Sequence, residues 1–162
     1  MSVKYRRLTP EELSELEKEF IDFLVVNGIT ADVWEKMKIE ENEKANRMIE
    51  LFSDVVFEGV TRKASFLDHV SADTLYAFHY LENEVQLVGI EDASKTLDFT
   101  QKETLGLLQT SAPDGVKVFF KAKPYQKQRE QEVFDLIKAG AQVSDGELFK
   151  QLSLLYASSQ VS

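Results

Sequence analysis

The sequence predicts an α+β protein, with one antiparallel sheet of three or four strands and helices at both chain ends, folded as a single globular domain. Three observations carry that expectation. Apolar residues recur at helical spacing over residues 10–63 and again over 125–158, whereas residues 65–122 are sheet-rich and follow a period of two. Helices therefore flank the strands instead of alternating with them, which argues against a parallel α/β sheet. A chain of 162 residues with 43% hydrophobic content and 11 phenylalanines can also build one packed core without disulfide help.

The elements follow in order. Thr9, Pro10, Glu11 and Glu12 form a capping-box start: the Thr9 hydroxyl can accept from the amide three residues on, and Glu12 can reach back. Leu13, Leu16, Phe20, Phe23 and Leu24 then keep one helical face to about residue 27, before Gly28. Thr30 caps a short second helix carrying Trp34 and Met37, and Ala45, Met48, Ile49, Phe52, Val55, Val56 and Val60 predict a long third helix over about 43–63. Ser65 to Val70 is a candidate strand. Tyr76, Phe78 and Tyr80 alternate with Leu75, Ala77 and His79, and Glu82-Asn83 leads into the β-branched run Val85 to Ile90, a hairpin that would pair His79 with Gln86 on its more polar face. Residues 91–115 are the least legible, with a helical stretch expected over 101–109 and a turn over 111–115. Val116, Val118, Phe120 and Ala122 alternate with Lys117, Phe119, Lys121 and Lys123, a strand with an apolar and a basic face that stops at Pro124. Val133, Leu136 and Ile137 mark a helix before Gly140. Ser144 to Glu147 resembles a second capping box, opening a helix with Leu148, Leu152, Leu155 and Tyr156 on one side.

Composition excludes several chemistries. With no cysteine, thiolate catalysis, cysteine-ligated zinc and iron–sulfur centres are ruled out. The seven glycines never come closer than six apart, so neither the dinucleotide fingerprint nor a Walker A loop is present, and no G-x-S-x-G elbow occurs. The expectation is no metal and no cofactor. The residues before Pro10 lack an apolar signal core and no stretch is long and apolar enough to span a bilayer, so a cytoplasmic location and no membrane contact are expected. A net charge of −9 disfavours double-stranded nucleic acid.

Against that acidic background stands one basic, aromatic segment, residues 117–129. It holds five cations and no acid, and the other 14 cations face 28 carboxylates, leaving the rest of the chain at −14. Lys117, Phe119, Lys121, Lys123, Tyr125, Lys127 and Arg129 form the candidate binding patch, able to hold anionic groups and stack rings. The plainer account is that exposed lysines guard a sheet edge or pair loosely with surface acids. Glu50, Asp54 and Glu58 fall at i, i+4 and i+8 on the long helix and could seed a metal site, but no Glu-x-x-His accompanies them, and Arg47 and Arg62 make an ordinary charged face the simpler account. Asp68 and His69 are adjacent, so on a strand they would face opposite ways and form no dyad. A restriction-type nuclease would want an acid two residues before a lysine on a core strand, and the 116–122 strand contains no acid.

Residues 5–13, 23–30 and 52–58 resemble an uncharacterised family of small bacterial proteins, a domain of unknown function, with the likeness running mainly over residues 5–60. The resemblance implies a bacterial cytosolic origin and brings no activity, cofactor or catalytic residue. With no catalytic constellation, the sequence leans away from an enzyme and towards a non-catalytic cytosolic protein-interaction module whose partner is another protein, with a homodimer left open. The alternative is a binding protein or enzyme for an anionic small molecule or single-stranded nucleic acid, using the 117–129 segment.

Overall fold

The structure, a computed structural model, describes residues 3–108 and 111–160. The chain divides into two compact units, Met1–Val60 and Thr61–Ser162. No helix among the described residues is long and apolar enough to cross a membrane.

The first unit is helical: α1 (Pro10–Glu15), α2 (Glu17–Val26), α3 (Ala31–Glu40) and α4 (Asn42–Lys63), the last of which carries the chain into the second unit. The capping box forms as expected, with Thr9 Oγ1 accepting from Glu12 N at 3.2 Å and Glu12 Oε1 accepting from Thr9 N at 2.9 Å. The helix expected over 10–27 is instead bent at Leu16, whose amide still reaches the Glu12 and Leu13 carbonyls. The bend lets Leu13 and Leu16 join Phe20, Leu24 and Phe52 in one core. Phe20 lies at the centre, with its ring centroid 5.0 Å from Phe52 and 5.2 Å, edge-on, from Trp34.

The second unit is built on one antiparallel sheet of five strands in the order β4-β3-β2-β1-β5: β1 (Phe66–Val70), β2 (Thr74–Tyr80), β3 (Glu84–Asp92), β4 (Val116–Pro124) and β5 (Gln142–Ser144). The expected count of three or four is therefore at least one short. The missing strand, β5, has three residues, too few to show a period, and is recruited by pairing with Phe66, Leu67 and Asp68. The β2–β3 hairpin has the expected register, His79 opposite Gln86, with Leu81 N donating to Glu84 O across the Glu82-Asn83 turn.

Helices cover both faces of the sheet. On one face α7 (Glu147–Ser159) buries Leu152 and Leu155 against Leu75, Ala77, Val88 and Ile90. On the other, α6 (Arg129–Lys138) buries Val133 against Leu67, Tyr80 and Val85. The expected cap at Ser144 is not used. Ser144 ends β5, its hydroxyl donating to Asp68 at 3.0 Å, and α7 begins after Gly146 at φ +88°. Only glycine suits that position, since a Cβ there would lie 2.7 Å from the Phe66 ring as well as being strained.

Residues 91–108 hold a piece of core that the sequence conceals. Asp92 is 2% exposed, and its carboxylate accepts from Ser94 N, the Ser94 hydroxyl and Leu97 N, which folds the loop back and delivers fully buried Phe99. Those bonds, the Ser94 hydroxyl foremost, hold the Asp92 carboxyl below its ordinary range. The helix expected over 101–109 is the single turn α5 (Lys102–Gly106), and Gln109 lies outside the described residues.

Candidate functional site

The basic segment splits at Pro124 into two parts with different roles. Up to that point it is β4, which pairs with β3 on one side only and forms an edge of the sheet. Register places Phe119 opposite Gly89, Lys121 opposite Leu87 and Lys123 opposite Val85, so Lys117, Phe119, Lys121 and Lys123 share the α6 face with Tyr76 and Phe78. The Phe119 ring lies over Gly89, where a Cβ would come within 2.5 Å of it, and meets the edge of Tyr76 at 6.0 Å. The close approach explains the glycine: the backbone of β3 is the seat for two rings. Lys117 Nζ and Lys121 Nζ lie 5.8 Å and 5.4 Å from the Phe119 centroid, within cation–π range. Phe119 thus has a packing role that strand alternation alone does not suggest.

Beside these rings runs a groove of about 480 Å³, floored by Phe78, Val85 and Leu87 and rimmed by Lys121 and Lys123. It shares Phe78, Val85 and Lys123 with a second hollow of about 360 Å³ that reaches α6. Among the described residues Lys117, Lys121 and Lys123 form no ion pair, and all three are exposed.

Beyond Pro124 the candidate residues serve the fold. The Tyr125 hydroxyl lies 2.6 Å from Leu81 O and 2.9 Å from Glu84 O, closing the hairpin turn from outside, while its ring stacks on Tyr80 at 6.2 Å. Burial pushes the Tyr125 phenol up. Lys127 Nζ pairs with Asp135 at 2.9 Å and holds that carboxyl down. The Arg129 guanidinium donates to the carbonyls of Thr61, Ala64 and Tyr80, gathering the end of α4, the link to β1 and the end of β2. The sequence patch of seven therefore contracts to four residues. Tyr76, Phe78, Leu87 and Gly89 join them, and the visible signal for the aromatic pair was the alternation of Tyr76, Phe78 and Tyr80 along one strand.

The apolar half of β4 is also only partly core. Val116 and Val118 pack against the α7 cluster, but Phe120 is 39% exposed, with its ring 5.9 Å from Tyr156, and Ala122 is exposed. The α7 core ends before the strand does.

The other candidates resolve into structural roles. Asp54 accepts from the amides of Lys4 and Tyr5, and Glu58 accepts from Lys4 Nζ at 3.0 Å and from the Tyr5 hydroxyl, so the carboxylate row on α4 docks the preceding segment. Glu50 pairs with Arg47 at 3.4 Å. Among the described residues no group of three or more His, Asp or Glu side chains could hold a metal ion. His69 and His79 occupy opposite faces of the sheet. His79 stacks on Phe66 at 4.3 Å and meets Phe149 edge-on at 5.4 Å, so its face is aromatic where a polar one was expected, and burial lowers its pKa, assisted by Arg129. Burial raises Asp68 despite the Ser144 hydroxyl.

Over residues 1–157 the chain matches a family of unknown function, DUF6495, and belongs to that family. The match takes in both units, beyond the residues 5–60 that carry the resemblance in the sequence. No curated protein and no solved structure matches the chain.

Proposed function

We propose that the protein is a non-catalytic cytosolic interaction module, and that its contact surface is β4 with the groove beside it. The observation that supports this most directly is the state of Lys117, Lys121 and Lys123: three exposed cations that form no ion pair among the described residues, on a protein of net charge −9, next to an apolar floor. Structural cations elsewhere in the segment have partners, as Lys127 and Arg129 do. An electropositive surface on an acidic protein selects acidic partners. The titratable side chains lining the groove itself are Lys121 and Lys123, with no carboxylate or imidazole among its lining residues, an arrangement suited to binding an anionic partner.

The test is a Lys121→Glu, Lys123→Glu double variant. Both residues are exposed, so the fold should be kept while capture of a native protein partner is lost, and binding to the unaltered protein should weaken as salt rises. A partner retained by the double variant at low salt would remove this surface from consideration. A second reading is favoured by the rings of Phe119, Tyr76 and Phe78 lying side by side among lysines, an arrangement suited to stacking unpaired bases. Titration with a single-stranded oligonucleotide separates the two: saturable binding that Phe119→Ala abolishes would favour nucleic acid over protein.

A further inference from the structure

Resting on that reading of the surface, we propose that the free edge of β4 takes up an added strand from the partner, an extended segment in which acidic and apolar residues alternate. The argument begins with backbone groups. Leu81 N donates to Glu84 O, so in β3 the even-numbered residues bond towards β2 and the odd-numbered ones towards β4. Through the β3–β4 register, Lys117, Phe119, Lys121 and Lys123 then bond inward to β3, and the backbone groups of Val116, Val118, Phe120 and Ala122 point outward. Only Val116 of these has a backbone acceptor among the described residues, Pro113 O at 3.3 Å. Pro124, which lacks an N–H, falls on the same outward parity, as a proline on an edge should. The outward amides of Val118, Phe120 and Ala122 are therefore a ready template.

The flanking side chains specify what can use it. A strand laid along β4 would place alternate residues beside Lys117, Lys121 and Lys123, on the groove face, and the residues between them beside Val118, Phe120 and Ala122. The first set calls for carboxylates. The second calls for apolar side chains, because Phe120 is 39% exposed and Ala122 is exposed. In an antiparallel addition the lysines would stand at the non-hydrogen-bonded pairs, where facing side chains come closest, which favours the cross-strand charge pairs. The lysines also repel the β4 of a second copy, so they guard the edge against self-association and leave it open to an acidic strand. The opposite edge offers no rival, since β5 has three residues against the nine of β4.

The probe is a synthetic peptide of nine residues, matching the strand in length, that alternates Glu and Val, tested on the full chain against a peptide of the same composition with its Glu and Val in separate blocks. The alternating peptide should bind at least about tenfold more tightly, and lose about that factor on the Lys121→Glu, Lys123→Glu protein. N-methylation of alternate peptide amides should abolish binding in one register and spare it in the other, and hydrogen exchange at Val118, Phe120 and Ala122 should slow in the complex. Equal tolerance of both N-methylated registers, unchanged exchange at those amides, or no preference for the alternating peptide would each overturn strand addition. If charge reversal still abolished binding in those cases, the interaction surface would stand without the added strand. Register-dependent binding indifferent to charge reversal would overturn the acidic specification.

Discussion

Replacing Arg129 with Met keeps most of the aliphatic stem and removes the guanidinium, which distinguishes a residue that binds a partner from one that holds the fold. The guanidinium donates to Thr61 O at 3.0 Å, to Ala64 O, and to Tyr80 O at 3.1 Å. Thr61 lies in the last turn of α4, whose carbonyls have no helical partner and whose dipole favours a cation. A hydrogen bond from a charged donor contributes about 1.5–3 kcal/mol, so three would total roughly 4–9 kcal/mol if they were additive. They share one cation, and the half-buried site lets water reclaim part of the loss, so about 3–5 kcal/mol is expected. With a urea dependence of about 1–3 kcal/mol per molar, the unfolding midpoint should fall by at least about 1 M. Arg129→Lys should recover only part, because one ammonium cannot span three carbonyls as the planar fork does. A midpoint unchanged in Arg129→Met, together with a lost partner, would refute this assignment and return Arg129 to the contact surface.

Leu152→Ala should cost about 2–5 kcal/mol, since Leu152 is fully buried in the α7 cluster; an unchanged melting curve and oligomeric mass would mean that α7 is peripheral. Ser53→Ala should cost about 1–3 kcal/mol by thermal unfolding, because the buried Ser53 hydroxyl accepts from Leu8 N at 2.9 Å and donates to Ile49 O at 2.7 Å, leaving the Leu8 amide without a partner; a neutral effect would show that water reaches it. Glu12→Gln tests a pH dependence. Arg6 holds the Glu12 carboxyl at about 2 against its ordinary 4.5, so the stabilisation is complete above about pH 4.5 and is lost as pH falls through about 2. The gap between the wild-type and Gln denaturation midpoints should therefore exist at neutral pH and close near pH 2, and a gap independent of pH would exclude the ion pair as its source.

Local signals were legible where they concern neighbours in sequence. The capping box at Thr9 and the period of α4 depend on residues three or four apart, and the β2–β3 register follows from a two-residue turn. Each is specified by residues close together in sequence, and each is present in the structure. The bend at Leu16 has no proline or glycine to announce it. It becomes intelligible only through the core that Leu13 and Leu16 join. Ser144 shows the reverse error: a sequence that could cap a helix forms a strand because Phe66 offers backbone pairing and Asp68 offers an acceptor, both more than seventy residues away.

The candidate site was legible as charge and illegible as topology. A run of five cations in an acidic chain is visible in composition, but whether each cation is free depends on acceptors brought from afar. Arg129 draws on carbonyls 49, 65 and 68 residues distant, and nothing near it in sequence reports them. Strand order is equally hidden, because alternation reads the same on an edge strand as on a central one. Only the order β4-β3-β2-β1-β5 puts the lysines at a border. That position changes what the same residues mean. On a central strand, Lys117, Lys121 and Lys123 would be costly groups needing partners, whereas on the edge they are exposed, without an ion pair among the described residues, and beside outward-facing backbone donors.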